Sequence, residues 1–334
     1  MYVGNNDWTF LHSEDSGVHV ARRDPPQQAK VAFAVAVDSR DAAPSDVFIG
    51  IGDPDTNVQG EVLWSSDPAT TGWTQLNLDA YTAVTCAGNI PMRPIGLAVG
   101  RDATGLQNTY VVAAVDNCGM WRGVSTVPFN PNSIAWTQTA LPSLILGDQM
   151  GIVQAPVVWP DWPGTGNDNF VYIIDRAAKK LWRSQDFGAT WDAAELWPVP
   201  GAALTADTGY LAADPSTLGR LWATTNQVAG TWLLTNAHGT LGTQQFTGTS
   251  APKNPGPVAV RPGSDDVYIA GRVNAAGDQA ELWRSLMLGS NWTKLGTSFY
   301  RSSSLFPTRL SVSGTPGLAY ESMAGQGVTV TNQI

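Results

Sequence analysis

The feature that most constrains this chain is a repeated pattern of short apolar strands, which recurs about every 55 residues. Each copy has two apolar strands, a third strand with a central tryptophan, and a fourth strand that begins near another tryptophan. Clear copies are VAFAVAV, DVFIGIG, GEVLWSS and GWTQL within 31–76, and GPVAVR, DVYIAGR, AELWRS and NWTKLG within 256–296. No segment keeps a helical period, whereas strand-length apolar runs separated by turn residues recur throughout. The pattern predicts an all-β chain of repeated four-stranded antiparallel sheets without helices.

The number of copies predicts one β-propeller domain over residues 1–334 with six blades; seven blades is the alternative. The predicted blades are 31–76, 95–141, 151–196, 208–248, 256–296 and 308–334. The last copy lacks a fourth strand, and residues 7–11 (DWTFL) read like the fourth strands GWTQL and NWTKL. We therefore expect this N-terminal strand to complete the last blade and close the ring, which would leave no open sheet edge.

One turn carries the complete pattern S-x-D-x-G-x-x-W, formed by Ser184, Asp186, Gly188 and Trp191. The aspartate suits a tight turn because it accepts hydrogen bonds from nearby backbone N–H groups, and glycine tolerates positive φ. The tryptophan can fold back as an apolar plug. The motif resembles the Asp-box (BNR repeat) of sialidase-like and xyloglucanase-like β-propellers, with altered copies at 66–73 and 285–292. The resemblance implies that these four residues are structural and lie on the face away from the binding site.

The opposite face, where the second strand of each blade ends, is the predicted ligand mouth. The residues at these six ends are Asp53, Asp116, Asp175, Asn226, Arg272 and Glu321. The acidic ones fit ordinary turns, a site for a cation or a basic group, or the carboxylate pair of a glycoside hydrolase. The segment 116–122 (DNCGMWR) resembles the one that carries a catalytic aspartate in xyloglucan-cleaving propeller hydrolases. That resemblance implies Asp116 as a catalytic residue, paired with Asp53, Asp175 or Glu321.

Long connections on the same face, at 13–28, 77–93, 197–206 and 296–306, mix aromatic and polar residues. This mixture can stack on sugar rings and hydrogen-bond their hydroxyl groups, although aromatic lids over the core fit equally well. The predicted ligand-binding residues are Arg93, Arg272, Asn226, Trp197 and Tyr300.

Two further sites are predicted on this face. Asp53, Asp55 and Asn57 space oxygen ligands as Ca²⁺ would require, and an ordinary polar turn is the alternative; no other cofactor is indicated. Cys86 lies on the 77–93 connection, and Cys118 lies on a turn between a second and a third strand. We therefore expect a disulfide that fixes the connection and an oxidising compartment, rather than two unrelated thiols.

Composition narrows the class of partner. The net charge of −9 argues against nucleic acid or anionic lipid, and no apolar run is long enough for membrane insertion. The three arginines and the Tyr–Glu pair of sialidases are not recognisable. We therefore expect a secreted, extracellular or particle-displayed recognition module that binds a carbohydrate or an extracellular protein, although residues 1–10 show no signal segment. The alternatives are a glycoside hydrolase or polysaccharide lyase, and a structural component of a virion or injection particle.

Overall fold

The computed structural model describes most of the strands and many of the turns that join them. The described residues are 2–5, 9–12, 21–22, 31–37, 46–52, 60–67, 71–86, 92–101, 108–115, 118–126, 129–141, 157–158, 170–175, 179–200, 209–214, 216–225, 230–246, 252, 254–261, 264–272, 280–286, 291–297, 307–312, 319–323 and 327–331. The chain forms two compact units, Met1–Glu195 and Leu196–Ile334.

The first unit contains one α-helix, α1 (Leu78–Thr85), and one short 3-10 helix, Pro131–Ser133, among its described residues. Its strands are β1 (Tyr2–Asn5), β2 (Thr9–His12), β3 (Ala21–Arg22), β4 (Val31–Val37), β5 (Val47–Gly52), β6 (Glu61–Ser65), β7 (Thr74–Gln75), β8 (Pro94–Arg101), β9 (Asn108–Val115), β10 (Gly119–Thr126), β11 (Ala135–Thr139), β12 (Val157–Val158), β13 (Val171–Asp175) and β14 (Lys180–Ser184).

The second unit is built from strands in its described part. They are β15 (Trp197–Pro198), β16 (Tyr210–Ala213), β17 (Leu221–Thr224), β18 (Thr231–Thr235), β19 (Gly242–Phe246), β20 (Asn254–Val260), β21 (Val267–Arg272), β22 (Ala280–Ser285), β23 (Trp292–Thr297), β24 (Pro307–Val312), β25 (Ala319–Met323) and β26 (Gly327–Thr331).

Strands that follow one another in sequence also lie next to one another in the sheets. In the first unit, β4 to β7 and β8 to β11 form four-stranded sheets, and β13 lies between β12 and β14. In the second unit, β16 to β19 and β20 to β23 form four-stranded sheets, and β24 to β26 form a three-stranded sheet. Neighbouring strands run antiparallel, as short connections between sequential strands favour. The predicted all-β architecture of several four-stranded antiparallel sheets is confirmed.

The six-blade count and the closure by the N-terminal strand are not confirmed. Strand β2 pairs on one side with β1 and on the other with β3. A strand has only two edges, so β2 is not the outer strand of the last sheet. Its partners are close in sequence, and short loops are cheaper to close than long ones.

The helix α1 corrects the prediction that the chain has no helices. Its Leu78 and Thr82 are buried four residues apart, which is the spacing of one helical face. Eight residues are too few for this period to stand out in the sequence. The described residues include no helix long and apolar enough to cross a membrane.

The second strands form the centre of the core. Every residue of β5 and of β13 is buried, which explains why these strands are apolar at consecutive positions rather than at alternate ones. The third strands add large side chains: Trp121 in β10 and Trp182 in β14 are each 2% exposed. These sheets give the turns and α1 a rigid base.

Candidate functional site

The predicted residues at the ends of the second strands have different positions in the structure. Asp175 ends β13 and is 1% exposed, and Arg272 ends β21. Glu321 lies in the middle of β25, opposite Leu310 and Thr329, so its predicted place at a strand end is wrong. The strand runs from Ala319 to Met323 and so ends one residue beyond the predicted strand at 317–322. The other members of this set, Asp53, Asp116 and Asn226, lie outside the described residues.

Two predicted ligand-binding side chains lie in the interior of the protein. Arg93 is 6% exposed and leads into β8. Trp197 is also 6% exposed, and its ring packs edge-on against Trp232 with the centroids 5.4 Å apart. Trp197 is therefore a core aromatic, and its prediction as an exposed stacking platform is wrong.

The remaining predicted ligands lie outside the described residues. These are Tyr300 and the calcium-site residues Asp55 and Asn57. Among the described residues, no group of three or more His, Cys, Asp or Glu side chains is placed to hold a metal ion.

The turn with the complete Asp-box pattern is held by hydrogen bonds between its own residues. Ser184 Oγ accepts from the Gly188 N–H at 2.7 Å and donates to Asp186 Oδ1 at 2.8 Å. Asp186 also accepts from the backbone N–H and the hydroxyl of Thr190. Gly188 has φ +76°, and Trp191 is 9% exposed. These contacts stabilise the turn.

A disulfide joins the end of α1 to the turn before β10. Cys86 and Cys118 are bonded, with their Cα atoms 5.6 Å apart. The carbonyl oxygen of Cys118 accepts hydrogen bonds from Trp121 Nε1 at 3.2 Å and from Gln138 Nε2 at 2.7 Å. The C-terminal end of α1 is thus linked covalently to a hydrogen-bonded part of the neighbouring sheet.

The segment that contains α1 is also fixed before the helix begins and after it ends. The carbonyl oxygen of Leu76 accepts a hydrogen bond from Trp136 Nε1 at 2.8 Å. The carbonyl oxygen of Met92 accepts from the Gly60 N–H at 2.6 Å. The helix is therefore held at a defined position over the ends of β6 and β10.

The outer side of α1 carries two large apolar side chains. Tyr81 and Val84 are 39% and 81% exposed, and they are two of the four large hydrophobic side chains that are exposed among the described residues. They are three positions apart and share one helix face. We call these two residues the α1 surface. The helix contains one charged residue, Asp79, and no basic residue.

Beneath the helix lies a buried carboxyl group. Glu61, the first residue of β6, is 1% exposed, and its Oε1 accepts from the N–H groups of Val62 at 2.6 Å and Leu78 at 3.0 Å. Burial, reinforced by a hydrogen bond to Asp79 and by the negative charge of Asp79, raises the pKa of Glu61 to about 8. This carboxyl group is therefore neutral near pH 7.

Sequence reasoning identified the 77–93 connection and its cysteine but missed the α1 surface and the pair of Glu61 and Asp79. The spacing of Leu78 and Thr82 fits one helix face, but in a helix of eight residues it is too short a signal to predict the helix from the sequence. The carboxyl pair has no such signal, because its members are brought together only when α1 packs on β6.

Comparisons with known proteins show the fold alone. No protein-family model and no curated protein matches this chain. A structure of YCF48 bound to D1 peptide matches with a TM-score of 0.59 and 13% identity, over 100% of this chain and 89% of that one. YCF48 from Cyanidioschyzon merolae matches with a TM-score of 0.58 and 12% identity, over 99% of this chain and 90% of that one. The GH74 enzyme of Niastella koreensis matches with a TM-score of 0.65 and 15% identity, over 99% of this chain and 52% of the enzyme chain. These similarities support a β-propeller repeat fold.

Proposed function

We propose that this protein is a recognition module that binds a protein or peptide segment through the α1 surface. The observation that carries the proposal is the pair of exposed apolar side chains, Tyr81 and Val84, on a helix that is fixed before, after and beneath. Exposed apolar groups on a rigid support lose little conformational entropy on binding, which favours recognition.

The charge of the chain indicates the chemistry of the partner. The protein has a net charge of −9, and the only charged residue of α1 is acidic. An apolar segment flanked by Lys or Arg would match both the α1 surface and the surrounding charge. One of the proteins with a similar fold, YCF48, has a structure with a bound peptide. That precedent supports a peptide segment as the class of partner.

The finer expectations from the sequence remain part of the proposal. A disulfide supports an oxidising compartment, and hence a secreted, extracellular or particle-displayed protein. A closed ring of six blades remains the proposed arrangement of the sheets. Binding through the α1 surface requires only the helix and the sheets that hold it. Carbohydrate is the less favoured ligand because the predicted stacking residue Trp197 is buried.

A glycoside hydrolase is less favoured than a binding module. Such an enzyme needs two carboxyl groups that the substrate can reach. Of the proposed carboxylates Asp53, Asp116, Asp175 and Glu321, the one whose side chain is described, Asp175, is 1% exposed. Turnover of a polysaccharide would nevertheless decide in favour of this alternative.

The test is a peptide array, a glycan array and a polysaccharide-hydrolysis assay on the same preparations. The preparations are the wild type, the double variant Tyr81→Ser/Val84→Lys, and the control variant Leu286→Lys, which changes a side chain that is 55% exposed elsewhere. We expect the wild type and the control to bind basic–apolar peptides and the double variant to lose at least tenfold in affinity. Equal binding by all three proteins, glycan binding alone, or hydrolysis would overturn the proposal.

A further inference from the structure

The first turn of α1 is held by two carboxyl groups rather than by a conventional capping side chain. Asn77 occupies the N-cap position with φ 56° and makes no side-chain hydrogen bond to the helix. Instead, Glu61 Oε1 accepts from the Leu78 N–H at 3.0 Å, and Asp79 Oδ1 accepts from the Ala80 N–H at 2.8 Å. The position of the helix on β6 therefore depends on Glu61.

The second oxygen of Glu61 needs a proton. Oε2 is buried, and no described group donates a hydrogen bond to it. The hydrogen bond between Glu61 and Asp79 exists only when one of the two carboxyl groups carries a proton. An ionised carboxylate with one bare oxygen in the interior is costly. A proton on Glu61 removes this cost and allows a hydrogen bond to the carboxylate of Asp79. The burial of Glu61 comes first among the causes that raise its pKa to about 8, and the N–H groups of Val62 and Leu78 act in the opposite direction.

The repeat shows which residues occupy the position of Glu61 in two other sheets. Val47, Val171 and Val267 face serines in the third strands, at Ser65, Ser184 and Ser285. Counting four residues back from each serine gives three equivalent charged residues, which are Glu61, Lys180 and Glu281. Lys180 pairs with Glu195 at 3.4 Å, and Glu281 pairs with Lys294. In these two sheets the charge is neutralised by an ion pair.

Glu61 lacks the cation that its equivalent Glu281 has. Lys294 lies opposite Trp283, and the corresponding pair in the first sheet is Gln75 opposite Leu63. At the position equivalent to Lys294, the first sheet therefore has the uncharged residue Gln75.

The other described neighbours of Glu61 supply little positive charge. Ile51 of β5 faces Glu61 across the sheet, and Asp79 of α1 is the charged group that raises its pKa. The carbonyl oxygen of Met92 accepts a hydrogen bond from the N–H of Gly60, and the next residue, Arg93, is buried. Arg93 does not contribute to the raised pKa of Glu61. A proton is thus the neutralising group at this position.

We infer that one proton shared by Glu61 and Asp79 holds α1 on β6, and that its loss in alkaline solution releases the helix and disables the α1 surface. The regulatory part of this inference rests on the proposed function, whereas the release of the helix does not. The folded pKa of Glu61 lies above its ordinary value. Its stabilising contribution is therefore complete below the ordinary pKa of a glutamate and is lost as the pH rises through about 8.

The experiment is hydrogen exchange of the α1 amides between pH 6 and 9.5, corrected for the intrinsic pH dependence of exchange. The variants are Glu61→Gln, which cannot ionise, and Gln75→Lys, which offers Glu61 a cation as Lys294 does for Glu281. The matched control is Glu195→Gln, which removes a carboxylate from the Lys180 pair in the same unit.

We expect the wild type and Glu195→Gln to lose protection in α1 by about tenfold per pH unit above pH 8, as release of one proton requires. Amides of β9 should keep their protection. Glu61→Gln and Gln75→Lys should show no such loss. A wild type without the transition, or the same transition in both variants, would overturn the inference. Gln75→Lys keeps the test decisive if Glu61→Gln does not fold. Hydrogen exchange measures the helix itself, so the test of helix release stands even if the wild type binds no peptide on the array.

Discussion

Asp186 shows how one side chain can define a turn. Its Oδ1 accepts from the Ser184 hydroxyl and the Thr190 N–H, each at 2.8 Å, and its Oδ2 accepts from the Thr190 hydroxyl at 2.6 Å. Partial burial tends to raise the pKa of Asp186, but these hydrogen bonds outweigh it and lower the pKa below its ordinary value. The carboxylate therefore stabilises the folded state as long as it is ionised.

We predict that Asp186→Ala lowers the free energy of unfolding by about 1–3 kcal/mol, because three hydrogen bonds to the turn are lost. Urea denaturation at pH 7 measures this difference. The difference between wild type and variant should shrink as the pH falls below about 4, where the wild-type carboxylate becomes protonated. Glu195→Ala, which removes a solvent-accessible ion pair with Lys180, should cost clearly less than Asp186→Ala. Equal losses in the two variants would contradict the role of Asp186.

These residues also show what a sequence reveals at this scale. The contacts of Ser184, Asp186 and Gly188 are local, so the spacing of the residues is enough to predict the turn. Glu61 and Asp79 belong to different elements, and their meeting depends on how α1 packs. Spacing alone does not predict a contact that tertiary packing creates.

At the scale of elements, α1 is stabilised mainly by its surroundings. Isolated helices of eight residues are unstable in water, since nucleation is unfavourable and few bonds follow it. Here the disulfide, the Leu76 carbonyl and the Glu61 carboxyl group hold the segment in place. The long connection and its cysteine were predictable from the sequence, but the helical conformation depends on these long-range contacts.

We predict that the double variant Cys86→Ser/Cys118→Ser loses about 2–4 kcal/mol of stability, because a cross-link over 32 residues is removed from the unfolded chain. The amides of α1 should also lose their exchange protection before those of β9 do. Urea denaturation and hydrogen exchange measure the two effects. Wild type in the presence of a reductant should behave like the double variant. Unchanged exchange in α1 after reduction would show that the disulfide does not hold the helix.

At the scale of the whole molecule, the repeat was predictable because each sheet is built from strands that are neighbours in sequence. The apolar second strands, such as β5 and β13, mark the core of each copy. The N-terminal sheet was not predictable from similarity, since residues 7–11 match a fourth strand in sequence while β2 pairs with β1 and β3. Local hairpins and long-range closure draw on the same strand pattern, and loop entropy favours the hairpin.

The net charge of the chain should make the rate and affinity of partner binding depend on salt. A chain with a net charge of −9 attracts a basic peptide over a distance that shrinks from about 14 Å at 0.05 M salt to about 4 Å at 0.5 M. We therefore expect the affinity for a basic–apolar peptide selected on the array to fall at least tenfold over this range, mainly through slower association. Surface plasmon resonance measures both rates. A matched peptide with Gln in place of Lys and Arg should bind more weakly at low salt and change little with salt. If the two peptides respond equally, the α1 surface binds through its apolar groups alone, and the partner need not be basic.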